Sequence, residues 1–362
     1  MSPRVLLTSR PKPIWLAAAI LITIALFLSL FDSQDVTSSL SHYIPGQTHG
    51  GGTEKVHPIA GGIPLRVMFI GASIARGEES THDVGYRQQL RDWMAAQGNP
   101  VNCVGTQRFG YHINDVSSSG GDGHDNNLNG TSFRDDDNEA YGAHRIRDLH
   151  EKCRVAVPQF RPNLMLVQIG TSDCWREDDP VNIISRYKDF VRYLLLPDDN
   201  GSVQQVDERG NKAGFDATVI MSTLVTTPNK EKERCFFSAN AQIRQAALDL
   251  QREGLPVVLA EMHYDQGFPN RPRESDIGPD DIHPTDDGYL MMGDIFKEAI
   301  RVADQKGFIK RAVENGIPED GDAERRAEEA AAAQTQALAP APAQNQAPAE
   351  EPKGGPPHQR RA

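Results

Sequence analysis

The sequence predicts a three-layer α/β/α sandwich around a mostly parallel sheet of about five strands, preceded by an N-terminal transmembrane helix. Three observations carry this. Five short, nearly unbroken apolar runs recur through the middle of the chain, amphipathic helical patterns separate them, and one long uncharged run stands near the start. Strands buried on both faces of a parallel sheet read as continuous apolar runs. Strands that alternate with helices form crossovers that cover both faces of the sheet.

The uncharged run, residues 13–31, is close to the roughly 20 residues needed to cross a bilayer. Arg4, Arg10 and Lys12 precede it, and Asp32 and Asp35 follow. The positive-inside bias then keeps residues 1–12 cytosolic and translocates the rest. A cleaved signal peptide has an apolar core of about 7–15 residues and a small-residue cleavage site. This run is longer, and SLFDSQDV at its end is a poor site. The expectation is a single-pass signal anchor in the secretory pathway or at the cell surface, with the domain lumenal or extracellular, or secreted if the segment is cleaved. Residues 32–62 are polar and rich in Gly, Ser, Thr and His, which reads as a stalk.

The strands are expected at 65–71, 100–105, 164–170, 217–224 and 256–262. Helices are expected at 85–98, 182–195, 239–254 and 286–307. In the first, Tyr86, Leu90, Trp93 and Met94 share a face and Gly98 suits the C-cap. In the last, Thr285 is the expected N-cap and Tyr289, Met292, Ile295, Phe296, Ala299 and Ile300 form the apolar stripe. Two longer loops, 108–138 and 197–216, interrupt the pattern. The folded domain is expected over 63–316. Residues 317–362 are Ala/Pro/Gln/Glu-rich and lack large apolar side chains, so a disordered tail is expected there.

A net charge of −12 argues against nucleic acid as a partner, because phosphate binding needs a basic face. Acidic runs such as RDDDNE at 134–139 read as solvated loop surface. Asn129 and Asn200 begin N-x-S/T sequons in polar contexts, the pattern of glycosylation acceptors. Cys103, Cys153, Cys174 and Cys235 form an even set compatible with two disulfides in an oxidising lumen, and four cysteines allow three pairings. Their spacing fits no zinc pattern. The scattered histidines lack ligand spacing, and the oxygen-rich loop at 114–130 lacks the EF-hand register. No metal and no cofactor are expected.

Ligand sites in such sheets form at the carboxyl ends of the strands. Three polar clusters fall there: GASIARG after the first strand, GTSDCW after the third, and DDIHPTDDGY before the last helix. A hydrolase needs a nucleophile, a base and a group that orients the base. Ser73, His283 and Asp280 are the candidates, in those roles. Arg76 and Trp175 are candidate substrate contacts. Cys174, beside the site, is expected to pair with Cys235 rather than to act as a nucleophile.

In this chain order the clusters resemble the SGNH (GDSL-type) hydrolases over about residues 65–303, and in particular the branch with the acetyl xylan esterases of carbohydrate esterase family three. The resemblance rests on RVMFIGASIARGEES, NEAYGAHRIRDL, IGTSDC and DDIHPTDDGY. It implies the flavodoxin-like SGNH fold and a catalytic serine at Ser73, with an Asp-x-x-His pair at Asp280 and His283. Asp281 lies one step off that spacing. It also implies an oxyanion hole from the backbone N–H of Ser73, the second-block glycine position, which falls on Ala143 beside Gly142, and the third-block position, which is Ser172 where the family has asparagine. Ala72 stands where the family has aspartate. Losing one oxyanion donor costs about 2.7–4 kcal/mol, which slows an esterase without abolishing it. The expected activity is therefore hydrolysis of an acyl ester, most naturally an acetyl ester of a carbohydrate or another acylated small molecule. The alternative is a weakened SGNH-fold protein that binds glycans or transfers acyl groups.

Overall fold

The structure, a computed structural model, describes residues 56–110, 133–195 and 217–338. The apolar run at 13–31 and the sequons at Asn129 and Asn200 lie outside the described residues. Among the described residues no helix is long and apolar enough to cross a membrane.

The sheet has seven strands: β1 (Leu65–Gly71), β2 (Val101–Cys103), β3 (Gln107–Arg108), β4 (Asp137–Ala140), β5 (Leu164–Gln168), β6 (Thr218–Ser222) and β7 (Val257–Ala260). Their order is β3-β4-β1-β5-β6-β7, and β2 also pairs with β1. Pairings are parallel except between β3 and β4. β2 and β4 share one side of β1: β2 runs beside Leu65 to Val67, and β4 takes over at Ile70 and Gly71. The five expected strands are all present, and β3 and β4 are additions to them.

The helices are α1 (Ser73–Arg76), α2 (Arg87–Ala96), α3 (Ile146–Phe160), α4 (Thr171–Trp175), α5 (Ile183–Leu195), α6 (Lys230–Arg252), α7 (Asp286–Gln305) and α8 (Gly321–Leu338). Side chains alternate across β1. Met68 and Ile70 pack with α3, α5 and α6 through Leu149, Phe190 and Ile243. Leu65, Val67 and Phe69 pack with α2 and α7 through Leu90, Met292 and Phe296. Each large apolar side chain taken fully out of water stabilises the fold by about 1.5–3 kcal/mol, so both layers are held firmly. Thr285 caps α7, its hydroxyl accepting from Gly288 N, and the expected apolar stripe of that helix is buried.

Several segments differ from the sequence reading. The run 134–139 is not solvated surface: Asp135, Asp136, Asn138 and Glu139 are fully buried and β4 is built from it. Its carboxylates are satisfied one by one. Asp135 accepts from Cys103 N (2.9 Å) and Arg91 Nε (3.3 Å), and Glu139 from Thr106 N (2.8 Å) and the Tyr141 hydroxyl (2.7 Å). Buried charge is tolerated only when so paired. Within the tail expected to be disordered, α8 forms and docks by polar contacts: Arg325 pairs with Asp137, Asp322 with Arg91 (2.8 Å), and Glu324 accepts from Asn102 Nδ2 (2.9 Å). The domain also begins before residue 63, since Ile59 is buried and its N–H donates to Asn99 Oδ1 (3.0 Å). Helix α6 starts nine residues earlier than expected, capped by Asn229, whose side chain accepts from Glu231 and Lys232 N–H. Helix α3 was not anticipated.

The cysteines divide. Cys174 and Cys235 form a disulfide, whereas Cys103 and Cys153 are free and buried. A second disulfide is ruled out by the layers: Cys153 packs on the α3/α5/α6 side of the sheet and Cys103 on the α2/α7 side. Burial pushes both thiols well above their ordinary range.

Burial also raises the Asp135 carboxyl to about 6, against the opposing pull of the Cys103 N–H and Arg91. The folded state therefore holds this proton in a window where the unfolded chain, with a pKa of about 3.9, has released it. Stability from this group is greatest below that window and is lost as pH rises through it. We expect wild-type stability, measured against Asp135→Asn by urea denaturation, to fall by about 2–3 kcal/mol between roughly pH 4 and pH 7. A difference that does not vary with pH would contradict the raised pKa.

Candidate active site

The site is assembled at the carboxyl edge of the sheet. β1 ends at Gly71, where a built Cβ would lie 2.1 Å from Gln168 O and 2.4 Å from Ala75 Cβ; only glycine allows β1, β5 and α1 to meet so closely. Ala72 is extended (φ −102°, ψ −151°), and α1 starts at Ser73 and stops at Gly77 (φ +91°). This strand–turn–helix holds Ser73, half-buried, just beyond the central strand.

The loop between β7 and α7 carries Asp280 and His283, the expected acid and base. Gly278 N donates to His283 O (2.8 Å), Thr285 N donates to Asp276 O (2.9 Å), and Ile277 pairs with Pro284 in a short bridge. Inside this closed loop His283 Nδ1 lies 2.5 Å from Asp280 Oδ2, and Asp280 Oδ1 accepts from the N–H groups of Ile282 and His283, each at 3.0 Å. Burial works against the Asp280 charge. The bond from the His283 ring, the two backbone N–H donors and the nearby His283 charge outweigh it, and hold the carboxyl below its usual range. The carboxylate fixes the proton on Nδ1 and leaves Nε2 as the basic nitrogen. That atom is buried and has no hydrogen-bond partner among the described residues. Asp281 does not share this role: it sits at φ +63° and its carbonyl accepts from Thr227 Oγ1 (2.6 Å).

Two contacts bind the segment after Ser73 to the helix that follows His283. Asp286 accepts from Thr81 N (2.7 Å) and Thr81 Oγ1 (2.6 Å), and the Tyr289 hydroxyl donates to Glu78 O (2.7 Å). Segments some two hundred residues apart in sequence are thereby fixed to each other. Sequence alone assigns Asp286 and Thr227 no role and Tyr289 only a place in the apolar stripe, because their partners here are backbone groups or distant loops.

The second and third blocks lie alongside. Tyr141 N donates to Gly71 O (3.0 Å), which extends β4 along the end of β1 and brings Gly142 and Ala143 beside the serine turn. A Cβ built on Gly142 would meet Glu78 Oε1 at 2.7 Å. Ala143 has φ +58°, a left-handed conformation that costs a residue with a Cβ about 1–2 kcal/mol. The glycine that the family resemblance puts at this position thus has a backbone reason. We expect Ala143→Gly to leave stability unchanged or raise it by up to about 1 kcal/mol, since relieved strain is partly offset by added chain entropy. Urea midpoints decide this, and a clear loss of stability would contradict the strained geometry.

Ser172 is buried in α4, directly after β5. Its neighbour Asp173 is fully buried, accepts from Ile146 N (3.1 Å) and faces Arg186 Nη1 (3.3 Å). Burial raises its carboxyl to about 6. Asp173 ties α4 to the first turn of α3, the helix that follows Ala143, so it positions the second and third blocks relative to each other. The Cys174–Cys235 disulfide fixes the far side of α4 to α6. Of the candidate substrate contacts, Arg76 is paired with Glu78 (3.1 Å) and lies over the Phe109 ring (3.6 Å). Trp175 packs against the core beside Phe236.

The model of the GDSL-like lipase/acylhydrolase family matches residues 69–291. The chain belongs to this family. Its match spans the Ser73 turn, both intermediate blocks and the Asp280–His283 loop, as the resemblance anticipated, and makes this GDSL-like chain an ester hydrolase. No curated protein matches it. Solved structures similar to it include the family 3 carbohydrate esterase of Clostridium thermocellum, at 16% identity and TM-score 0.49, covering 68% of this chain and 99% of that one. Another is a carbohydrate esterase family 3 structure from Talaromyces cellulolyticus, at 18% identity and TM-score 0.47, covering 67% and 99%. A third is Axe2, an acetylxylan esterase from Geobacillus stearothermophilus, at 14% identity and TM-score 0.41, covering 66% and 95%.

Proposed function

We propose that this esterase removes acetyl groups from a carbohydrate by a Ser73–His283–Asp280 mechanism. The observation that carries the mechanism is the Asp280–His283 pair at 2.5 Å, with Nε2 buried and unengaged. Ser73 Oγ attacks the acyl carbonyl while His283 Nε2 takes its proton. Asp280 steadies the imidazolium. The proton then passes to the leaving sugar oxygen, and water, activated by the same nitrogen, releases acetate and restores Ser73. Backbone N–H groups at Ser73 and Ala143 bear the oxyanion. Ser172, with a shorter side chain than asparagine, supplies a weaker third donor. The motif resemblance to the acetyl xylan esterase branch supports an acetylated carbohydrate as substrate. Acetate release by the full chain from acetylated oligosaccharides, alongside nitrophenyl acetate, tests the reading; turnover of neither substrate sinks it.

A lumenal or extracellular location goes with this function. It is supported by the disulfide, which joins cysteines separated by 61 residues, since such bonds persist in oxidising compartments. On this reading residues 13–31 anchor the chain in the membrane and Asn129 and Asn200 carry glycans. A mobility shift on glycosidase treatment, lost in Asn129→Gln/Asn200→Gln, tests it.

A further inference from the structure

The loop after β7 carries more than the acid–base pair. Beside it lies a polar cavity of about 420 Å³, lined by Glu233 of α6 and by His263, Tyr264, Asp265, Arg273 and Ser275. That volume falls within the roughly 300–1,000 Å³ of small-molecule sites. Its lining includes no aliphatic side chain; the apolar surface it offers is the Tyr264 ring and the carbon stems of polar side chains. The lining also offers carboxylates, a guanidinium and hydroxyls, the donors and acceptors that vicinal hydroxyl groups need.

The floor is preorganised. His263 is 2% exposed; its Nδ1 lies 2.6 Å from Asp265, and its Nε2 lies 3.1 Å from a Glu233 oxygen without hydrogen-bond alignment. Arg244 backs Asp265 (2.8 Å), and Thr226 Oγ1 donates to Glu233 (3.0 Å). A ligand therefore need not order these side chains on binding. At the rim, Tyr264 is 44% exposed, and the Arg273 guanidinium lies over its ring at 5.0 Å. An exposed aromatic ring beside fixed polar groups matches a sugar, which has an apolar C–H face and a polar edge. Each lining carboxylate faces a basic side chain, Glu233 with His263, Asp265 with Arg244 and Glu274 with Lys230, so the site carries no large net charge and suits a neutral ligand.

The cavity walls are joined to the acid–base loop. Thr227, next to Thr226, donates to Asp281 O (2.6 Å), and Asp276, next to Ser275, accepts from Thr285 N (2.9 Å). We infer that this cavity is a subsite for a neutral sugar ring of the glycan that carries the ester; the inference rests on the carbohydrate-deacetylase reading.

Full-length Ser73→Ala protein binds without turnover, so its titration with unacetylated xylotetraose, mannotetraose and chitotetraose, followed by calorimetry, tests the subsite independently of hydrolysis. Tetragalacturonate is the anionic control. We expect one of the neutral oligosaccharides to bind, Tyr264→Ala in the same background to weaken it by about tenfold, and Tyr264→Phe to retain it. Failure of all three neutral sugars to bind overturns the subsite. So does affinity indifferent to Tyr264→Ala, or tighter binding of tetragalacturonate. Failure of the hydrolase reading would show separately, as the absence of ester turnover by the wild-type chain.

Discussion

In Ser73→Ala protein, kcat toward nitrophenyl acetate falls by about 10⁴-fold or more, and labelling by a fluorophosphonate is lost. The folded state is nearly unaffected, with a melting temperature within about 2 °C of wild type, because one half-buried hydroxyl is removed and no cavity of consequence is left. His283→Gln gives a loss of similar size, since without the base the serine hydroxyl keeps its proton. Asp280→Asn also loses about 10⁴-fold, through the wrong imidazole tautomer. The pH profile adds a separate check. The Asp280 carboxyl is held below its ordinary value, so it is ionised throughout pH 5–8 and contributes stability that is lost only as pH falls through its lowered pKa. The acid limb of the kcat/KM profile therefore does not report Asp280. Persistent fluorophosphonate labelling in Ser73→Ala protein would remove Ser73 from the nucleophile's role and move the chemistry elsewhere in the domain.

The legible parts of this protein were those whose signal is local. LMLV in β5 is uniformly apolar because both of its faces are covered, and any strand of that kind can be read from a short window. Asp280 and His283 were legible because three residues of spacing in one loop are enough to join them. DNEA in β4 was not legible. It is buried by ion pairs and hydrogen bonds to Thr106, Arg108 and Arg325, and its composition resembles that of a solvated loop. Helix α8 shares the cause from the other side: its Ala/Glu/Arg sequence has no apolar stripe of note, and docking through Arg325 and Asp322 becomes visible only with the acidic strand in place. Helix α3 did carry a signal, since Ile146, Leu149, Cys153, Ala156 and Val157 follow helical spacing. The cysteine pairing needed the layers, because only the sheet separates Cys103 from Cys153.

Arg87→Met is the substitution expected to cost the most stability. Sequence alone gives Arg87 no special role. It is instead fully buried, and its guanidinium donates to four backbone carbonyls: Asp136 O (3.0 Å), Arg76 O (2.9 Å), Asp83 O (3.2 Å) and Phe109 O. It also lies 5.3 Å over the Phe133 ring. Burial lowers its pKa to about 10, so it is still charged at neutral pH. These carbonyls belong to the nucleophile turn, to the loop after β3 and to the acidic approach to β4. Methionine preserves the length and apolar stem while leaving the carbonyls unsatisfied, and each such group costs about 1–3 kcal/mol when it stays buried. Allowing for relaxation and water entry, the net loss is about 3–5 kcal/mol, a fall in melting temperature of roughly 10 °C for a domain of this size. Arg87→Lys should fall between the two, because a single ammonium cannot span the four acceptors that the planar fork reaches. Activity should drop more than the folded fraction accounts for, since Arg76 O and Asp83 O lie on the turn that aims Ser73. An Arg87→Met protein that melts within about 2 °C of wild type would mean that these carbonyls are satisfied by water, and that the serine turn is held by the Thr81–Asp286 and Tyr289–Glu78 contacts alone.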